Sequence, residues 1–167
     1  VQLTRGVAVK IRCHGDYHLG QVLIAENDFR IIDFEGEPAR STEERRRKQS
    51  PLRDVAGMLR SFSYARYTAL ANASHAPDDP VQLAPLAADW ESRVRRAFIE
   101  SYDAAVSPPG AAGSLYSSLD ALRPLLELFE LEKALYELRY ELGSRPAWVR
   151  VPLQGIQALM QRRPGKH

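Results

Sequence analysis

The chain has one cysteine, Cys13, so no internal disulfide can staple it, and this usage fits a reducing, cytoplasmic setting. Cys13 adjoins His14, but no second thiol stands ready to resolve it, which argues against a redox or nucleophilic role. No apolar run approaches the ~20 residues of a membrane span, and there is no signal-peptide pattern. Charge of one sign is also missing. The 23 Lys and Arg against 21 Asp and Glu leave a net +2, which gives no reason to expect nucleic acid or an anionic membrane as partner. No internal repeat is evident. The remaining composition, 44% hydrophobic and 26% charged over 167 residues, is that of a globular chain able to bury one sizeable core.

The most informative stretch is His14-Gly15-Asp16-Tyr17-His18-Leu19-Gly20-Gln21, followed by Ile31-Ile32-Asp33-Phe34-Glu35. Phosphoryl transfer asks for an aligned acceptor hydroxyl, Mg²⁺ on the phosphates and cancellation of charge on the transferred group. The pattern H-R-D-x-x-x-x-N supplies a base Asp and a metal-holding Asn five residues on, and D-F-G supplies a second metal-holding Asp. Asp16 and Gln21 have that separation, with Gln offering the same amide oxygen on a longer stem, and Asp33-Phe34-Glu35 stands where D-F-G would.

Local patterning supports convergence. Gln21 to Ala25 is an apolar, β-branched run, Glu26-Asn27-Asp28 is turn chemistry, and Phe29 to Ile32 is a second run. The resulting hairpin returns Asp33 to the end where Gln21 enters, with Asp16 in the loop just before. His14 reads as a loop-holding residue through its ring nitrogens. His18 reads either as a phosphate or substrate contact or as loop packing, and Glu35 either as metal support or as a backbone partner.

H-G-D-x-H-x-x-N/Q followed by D-F-E resembles the aminoglycoside phosphotransferase-like kinases. Three segments narrow the likeness to the maltokinase group: His14 to Leu23, Ser50-Pro51-Leu52-Arg53-Asp54-Val55-Ala56-Gly57-Met58-Leu59-Arg60-Ser61-Phe62, and Glu132-Lys133-Ala134-Leu135-Tyr136-Glu137-Leu138-Arg139-Tyr140-Glu141. The likeness runs from about Gly6 to Gln161. It implies ATP and Mg²⁺ as cofactors and maltose as acceptor, giving maltose 1-phosphate for α-glucan and glycogen synthesis, alone or fused to trehalose synthase. It also implies an N-terminal lobe with a nucleotide-covering sheet and a phosphate-contacting Lys. No stretch here accommodates that lobe, and Lys10 lies too close to Asp16 to replace its Lys. The expected fold is therefore α+β and mostly helical: residues 1–167 as a protein-kinase-like C-terminal lobe, a catalytic-loop hairpin followed by a helical subdomain, with little activity on its own.

The helical part can be laid out from periodicity. Residues 37–42 read as loop, and the charge run Glu43 to Gln49 as a solvated loop or helix end in the region of an activation segment, where one cation could neutralise phosphate. A helix is expected over about 51–73, capped by Ser50 with Pro51 in its first turn. Asp54 lies in that turn, either supporting the catalytic loop or as a surface charge. Residues 76–80 read as a linker, 84–105 as a second helix and 107–113 as a flexible turn. A third helix carries Leu119, Leu122, Leu125, Leu126 and Phe129. A fourth, with Leu131, Ala134, Leu135, Leu138 and Leu142 inward, stops at Gly143. Pro152 opens a last short helix to about Gln161, with Leu153, Ile156, Leu159 and Met160 inward, before a basic tail.

On the fourth helix, Lys133, Tyr136, Glu137 and Tyr140 share one face at i, i+3, i+4 and i+7. Spacing alone also fits an ordinary exposed face with i,i+4 pairing. The family resemblance makes Lys133, Tyr136 and Tyr140 disaccharide contacts, with Glu137, Arg145 and Trp148 as further members of the cleft. The rival readings are a glucosamine or glucose kinase with the same loop, and a catalytically silent module that grips glucan or a partner enzyme. An aminoglycoside kinase fits less well, because a polycationic drug calls for a strongly acidic cleft.

Overall fold

The computed structural model describes residues 9–38, 40–73, 80–106, 115–116 and 118–161. A 3-10 turn, Leu19–Gln21, leads into a two-stranded antiparallel sheet of β1 (Val22–Ala25) and β2 (Asp28–Ile31). Its register pairs Val22 with Ile31 and Ala25 with Asp28, so the tight turn is Glu26-Asn27, with Glu26 at φ 57°. Gln21 thus sits in the 3-10 turn and Asp28 in the second strand, one step away from the sequence expectation. The Ile32 N–H donates to the Gln21 carbonyl at 3.0 Å, so the pairing carries on to the chemically interesting end.

Among the described residues five helices follow: α1 (Thr42–Arg46), α2 (Leu52–Ala73), α3 (Pro80–Val106), α4 (Leu119–Ser144) and α5 (Arg150–Gln161), with a 3-10 turn at Pro146–Trp148 between the last two. Within the charge run, α1 is nucleated by a reciprocal capping box. The Ser41 side chain accepts from the Glu44 N–H, and the Glu44 carboxylate accepts from the Ser41 N–H. Helix α2 is central. It packs on α3 and α4 through Leu52, Val55, Ala56, Leu59 and Phe62, against Leu119, Leu122 and Leu126. Pro80, expected as the last residue of a linker, instead opens α3, where a missing N–H costs nothing. Residues 74–79, the expected flexible turn at 107–113 and the basic tail lie outside the described residues.

Three expectations for the helices are corrected. The third and fourth helices are one continuous α4, and Gly143 lies within it. Of the residues expected inward in its second half, Ala134 is buried and Leu131 and Leu138 are half-buried, but Leu135 and Leu142 are 52% and 61% exposed, and Glu130, Glu137 and Glu141 are buried in their place. Glutamates line the packed face because each meets a partner there. Arg95 Nη2 of α3 donates to Glu130 at 2.6 Å, Arg60 Nη2 of α2 to Glu137 at 2.8 Å, and the Tyr64 hydroxyl of α2 to Glu141 at 3.0 Å. A buried carboxylate is tolerated only when paired and hydrogen-bonded in this way. On α5, Val151 and Pro152 are buried, whereas Leu153 and Met160, expected inward, are exposed. Among the described residues no helix is long and apolar enough to cross a membrane.

Cys13 is held between main-chain carbonyls, with Sγ 3.4 Å from the Ser50 oxygen. Burial, and then the nearby Asp54 carboxylate, push the thiol up to about 11. We expect alkylation of the native protein at pH 8 to run roughly 100-fold slower than for a free thiol, because nucleophilicity follows the thiolate fraction. Labelling as fast as in denaturant would contradict this placement.

Candidate active site

The loop carrying Asp16 is seated on one face of α2. Asp54, Gly57 and Ser61 follow at i, i+3 and i+7, and each holds part of residues 14–19. The Asp54 carboxylate accepts from the His14 N–H at 2.7 Å and the Gly15 N–H at 2.9 Å, and the Ser61 hydroxyl accepts from the Leu19 N–H at 3.2 Å. At Gly57 a Cβ would lie 2.6 Å from the Tyr17 carbonyl oxygen, so only glycine lets the loop approach so closely. Asp54 thus clamps the loop instead of standing as a surface charge. Burial raises its pKa, and the bonds from Gly15 and His14 hold it back only in part. Asp54→Ala leaves two N–H groups without their acceptor, and we expect a loss of about 2 kcal/mol or more, read as a lowered denaturation midpoint. An unchanged midpoint would show that the clamp is dispensable.

His14 ties this loop to the hairpin. It is buried, with Nε2 2.7 Å from the Ile32 carbonyl and Nδ1 3.4 Å from the Asp16 N–H. A carbonyl can only accept and an N–H can only donate, so the proton sits on Nε2. The ring thus joins Asp16 to the residue before Asp33. Gly15, at φ 89°, reinforces the junction: a Cβ there would meet Gly36 Cα at 3.1 Å. Asp33 itself lies in the left-handed region at φ 63°, a sparsely populated conformation that Asp tolerates better than most residues.

The predicted residues form two groups. Gln21 Nε2 donates to Asp33 Oδ2 at 2.8 Å, so these two share a point at the hairpin base. Asp16 belongs to the other group, with Lys133 Nζ donating to its Oδ1 at 3.1 Å and His18 Nε2 3.8 Å from its Oδ2. His18 also accepts from the Gly20 N–H through Nδ1, capping the 3-10 turn. The side chain of Glu35 is exposed; its carbonyl accepts from Arg45 Nη1 at 3.2 Å. That bond turns one cation of the charge run toward the loop, while Arg47 pairs with Glu43.

Sequence reasoning missed Glu37. Its carboxylate accepts from Lys133 Nζ at 3.3 Å and from the Tyr136 hydroxyl at 2.7 Å, so Lys133 bridges Asp16 and Glu37. Burial alone would lower the Lys133 pKa, but Asp16 and Glu37 more than offset it and the ammonium stays charged. Burial, then the bond to Glu37, push Tyr136 up to about 12. Its folded pKa exceeds the unfolded value, so this contribution is whole below about pH 10 and fades as pH climbs toward 12.

Asp16, His18, Glu37, Lys133, Tyr136, Glu137, Tyr140, Arg145 and Trp148 all line one cleft of about 610 Å³ between the loop and α4. Arg145 lies over the Tyr140 and Trp148 rings at 5.4 and 5.1 Å, and bonds Glu141 through Nε and Nη2. Trp148 stacks on Tyr64. Among the described residues no cluster of three His, Cys, Asp or Glu is placed to hold a metal.

No protein-family profile matches the chain. It is similar to a glucosamine kinase of Streptacidiphilus jiangxiensis, 30% identical over 153 residues that make up 92% of this chain and 32% of that protein. A glucosamine kinase of Mycolicibacterium smegmatis is 32% identical over 150 residues, 88% of this chain and 34% of that one. A solved glucosamine kinase in complex with glucosamine, ADP and inorganic phosphate superposes with a TM-score of 0.73 at 28% identity, over 90% of this chain and 35% of that one. The chain thus spans about a third of the length of the curated relatives it matches. It has a kinase-like fold, mostly helical with one small antiparallel sheet.

Proposed function

We propose that the chain is the acceptor-binding, catalytic lobe of an ATP-dependent sugar kinase whose preferred acceptor is an amino sugar such as glucosamine. The observation that carries this reading is the shared cleft: the kinase-pattern Asp16 opens onto the same space as Tyr136, Tyr140, Arg145 and Trp148. Aromatic faces suit a pyranose ring, and charged groups around them suit hydroxyls. The carboxylates of Asp16, Glu37, Glu137 and Glu141 border the same space and would favour an ammonium substituent. Maltose, the acceptor implied by the sequence likeness, is set aside in favour of glucosamine. The relatives named above are glucosamine kinases, and none of them concerns maltose, glycogen or trehalose.

Asp16 would accept a hydrogen bond from the acceptor hydroxyl and aim it for in-line attack. Its placement, fixed by Lys133 and by the seat on α2, matters more than its basicity, because the transition state is largely dissociative. Gln21 and Asp33 fit a divalent cation of the Mg²⁺ type. Their mutual bond leaves Gln21 Oε1 and Asp33 Oδ1 as hard oxygen donors, and phosphate and water oxygens complete such a shell. When bound, Mg²⁺ would neutralise charge on the nucleotide phosphates. The nucleotide-covering lobe would come from the rest of a longer protein. In support, the hairpin presents Ile24 and Phe29, 80% and 69% exposed, as an apolar face.

The test is an acceptor panel on the full-length protein with ATP and Mg²⁺. Glucosamine is expected to give the highest kcat/KM, ahead of glucose, maltose and kanamycin. Preferred phosphorylation of maltose restores the maltokinase reading. Sugar binding without ATP consumption supports the silent binding module.

A further inference from the structure

Arg60 and Glu137 form a buried ion pair between two spaces. Glu137 borders the sugar cleft, and Arg60 borders a second, open cleft lined by α2, α3 and α5 with Glu130 of α4. Arg60 is 2% exposed and Glu137 8%. Both guanidinium bonds, Nε at 2.9 Å and Nη2 at 2.8 Å, end on the same oxygen, Oε2. Oε1 takes neither of them.

The guanidinium has a backstop on α5. A Cβ at Gly155 would come within 2.0 Å of Arg60 Nη1, 2.7 Å of Cζ and 3.0 Å of Nη2. The group is thus held between the Gly155 backbone on one side and Glu137 on the other. Because the guanidinium is planar and rigid, displacing it moves the point where its two bonds converge.

We propose that Arg60, seated against Gly155, is a positioning residue that fixes Glu137 so that its second oxygen serves as an acceptor for a hydroxyl or ammonium of the sugar. This rests on the sugar-kinase reading and extends it to two residues that never touch the substrate. A methyl group at position 155 would push the guanidinium and loosen the carboxylate in the cleft. Lysine at position 60 has no fork to collide with that methyl.

The test uses the full-length protein with Gly155→Ala, Arg60→Lys and the double variant. It measures the sugar Kd by calorimetry without nucleotide, alongside steady-state kinetics. Gly155→Ala is expected to raise sugar Kd and KM about 10-fold while kcat and nucleotide KM stay within about twofold, the signature of lost uniform binding. Arg60→Lys is expected to raise sugar Kd by a similar factor, and the double variant to bind no worse than Arg60→Lys alone, since the two residues act through one contact. Additive losses in the double variant, or an unchanged sugar Kd in Arg60→Lys, overturn the positioning role even if Gly155→Ala fails to fold. A wild-type protein that neither binds nor phosphorylates any sugar overturns the sugar-kinase reading, and this one with it.

Discussion

Asp16→Asn in the full-length protein is expected to lower kcat by about 100-fold or more, the scale of losing the alignment of the attacking hydroxyl, while sugar Kd changes less than about threefold. Asn keeps the shape of the side chain and the loop's seat on α2, which depends on Asp54, Gly57 and Ser61 rather than on the Asp16 carboxylate. It replaces one carboxylate oxygen with an amide donor, so with Lys133 held on one oxygen no acceptor is left at the other position for the hydroxyl. The ammonium retains Glu37 as partner, which limits the cost of the lost charge. Steady-state kinetics with calorimetry on the same samples separates the two readouts. Wild-type turnover would remove Asp16 from the chemistry, whereas loss of sugar binding together with turnover would mark it as a binding residue.

Asp33→Asn should weaken Mg²⁺-dependent nucleotide binding by about 100-fold, the cost expected of removing a charged ligand between phosphates and protein. Asn suits the control because it accepts the left-handed backbone at φ 63°, whereas Ala there adds strain. The residue is exposed, so the melting temperature should hardly move. Calorimetry of ATP binding with and without Mg²⁺ tests this directly. If Asp33→Asn binds Mg·ATP as tightly as wild type, the Gln21–Asp33 pair is a structural clasp and the metal must be sought elsewhere.

Much of the site was legible because its residues lie close in sequence and their spacing follows from strand geometry. The hairpin that returns Asp33 to Gln21 was readable from two apolar runs and a turn, and the Lys133–Tyr140 face from helical spacing. Glu37 was not readable. It is two residues beyond the Asp33-Phe34-Glu35 motif in an irregular segment, and its partners, Lys133 and Tyr136, are about a hundred residues away. The inward face of α4 was misread for a related reason. A leucine repeat is ordinarily a core signal, but the packed face instead places glutamates opposite Arg60, Tyr64 and Arg95, and those partners cannot be read from α4 alone. Splitting α4 in two had another cause: Phe129 and Leu131 belong to different apolar rows, and the shift between rows looked like a break.

The account depends most on one sugar lying between Asp16 and the aromatic face of α4. A crystal structure of the full-length protein with glucosamine and a non-hydrolysable ATP analogue tests that placement directly. The predicted result is a pyranose against Tyr136, Tyr140 and Trp148, with one hydroxyl in hydrogen-bond contact with the Asp16 carboxylate and facing the γ-phosphate. A sugar bound away from Asp16, or a cleft that stays closed by the Asp16–Lys133–Glu37 contacts under saturating glucosamine, would contradict it.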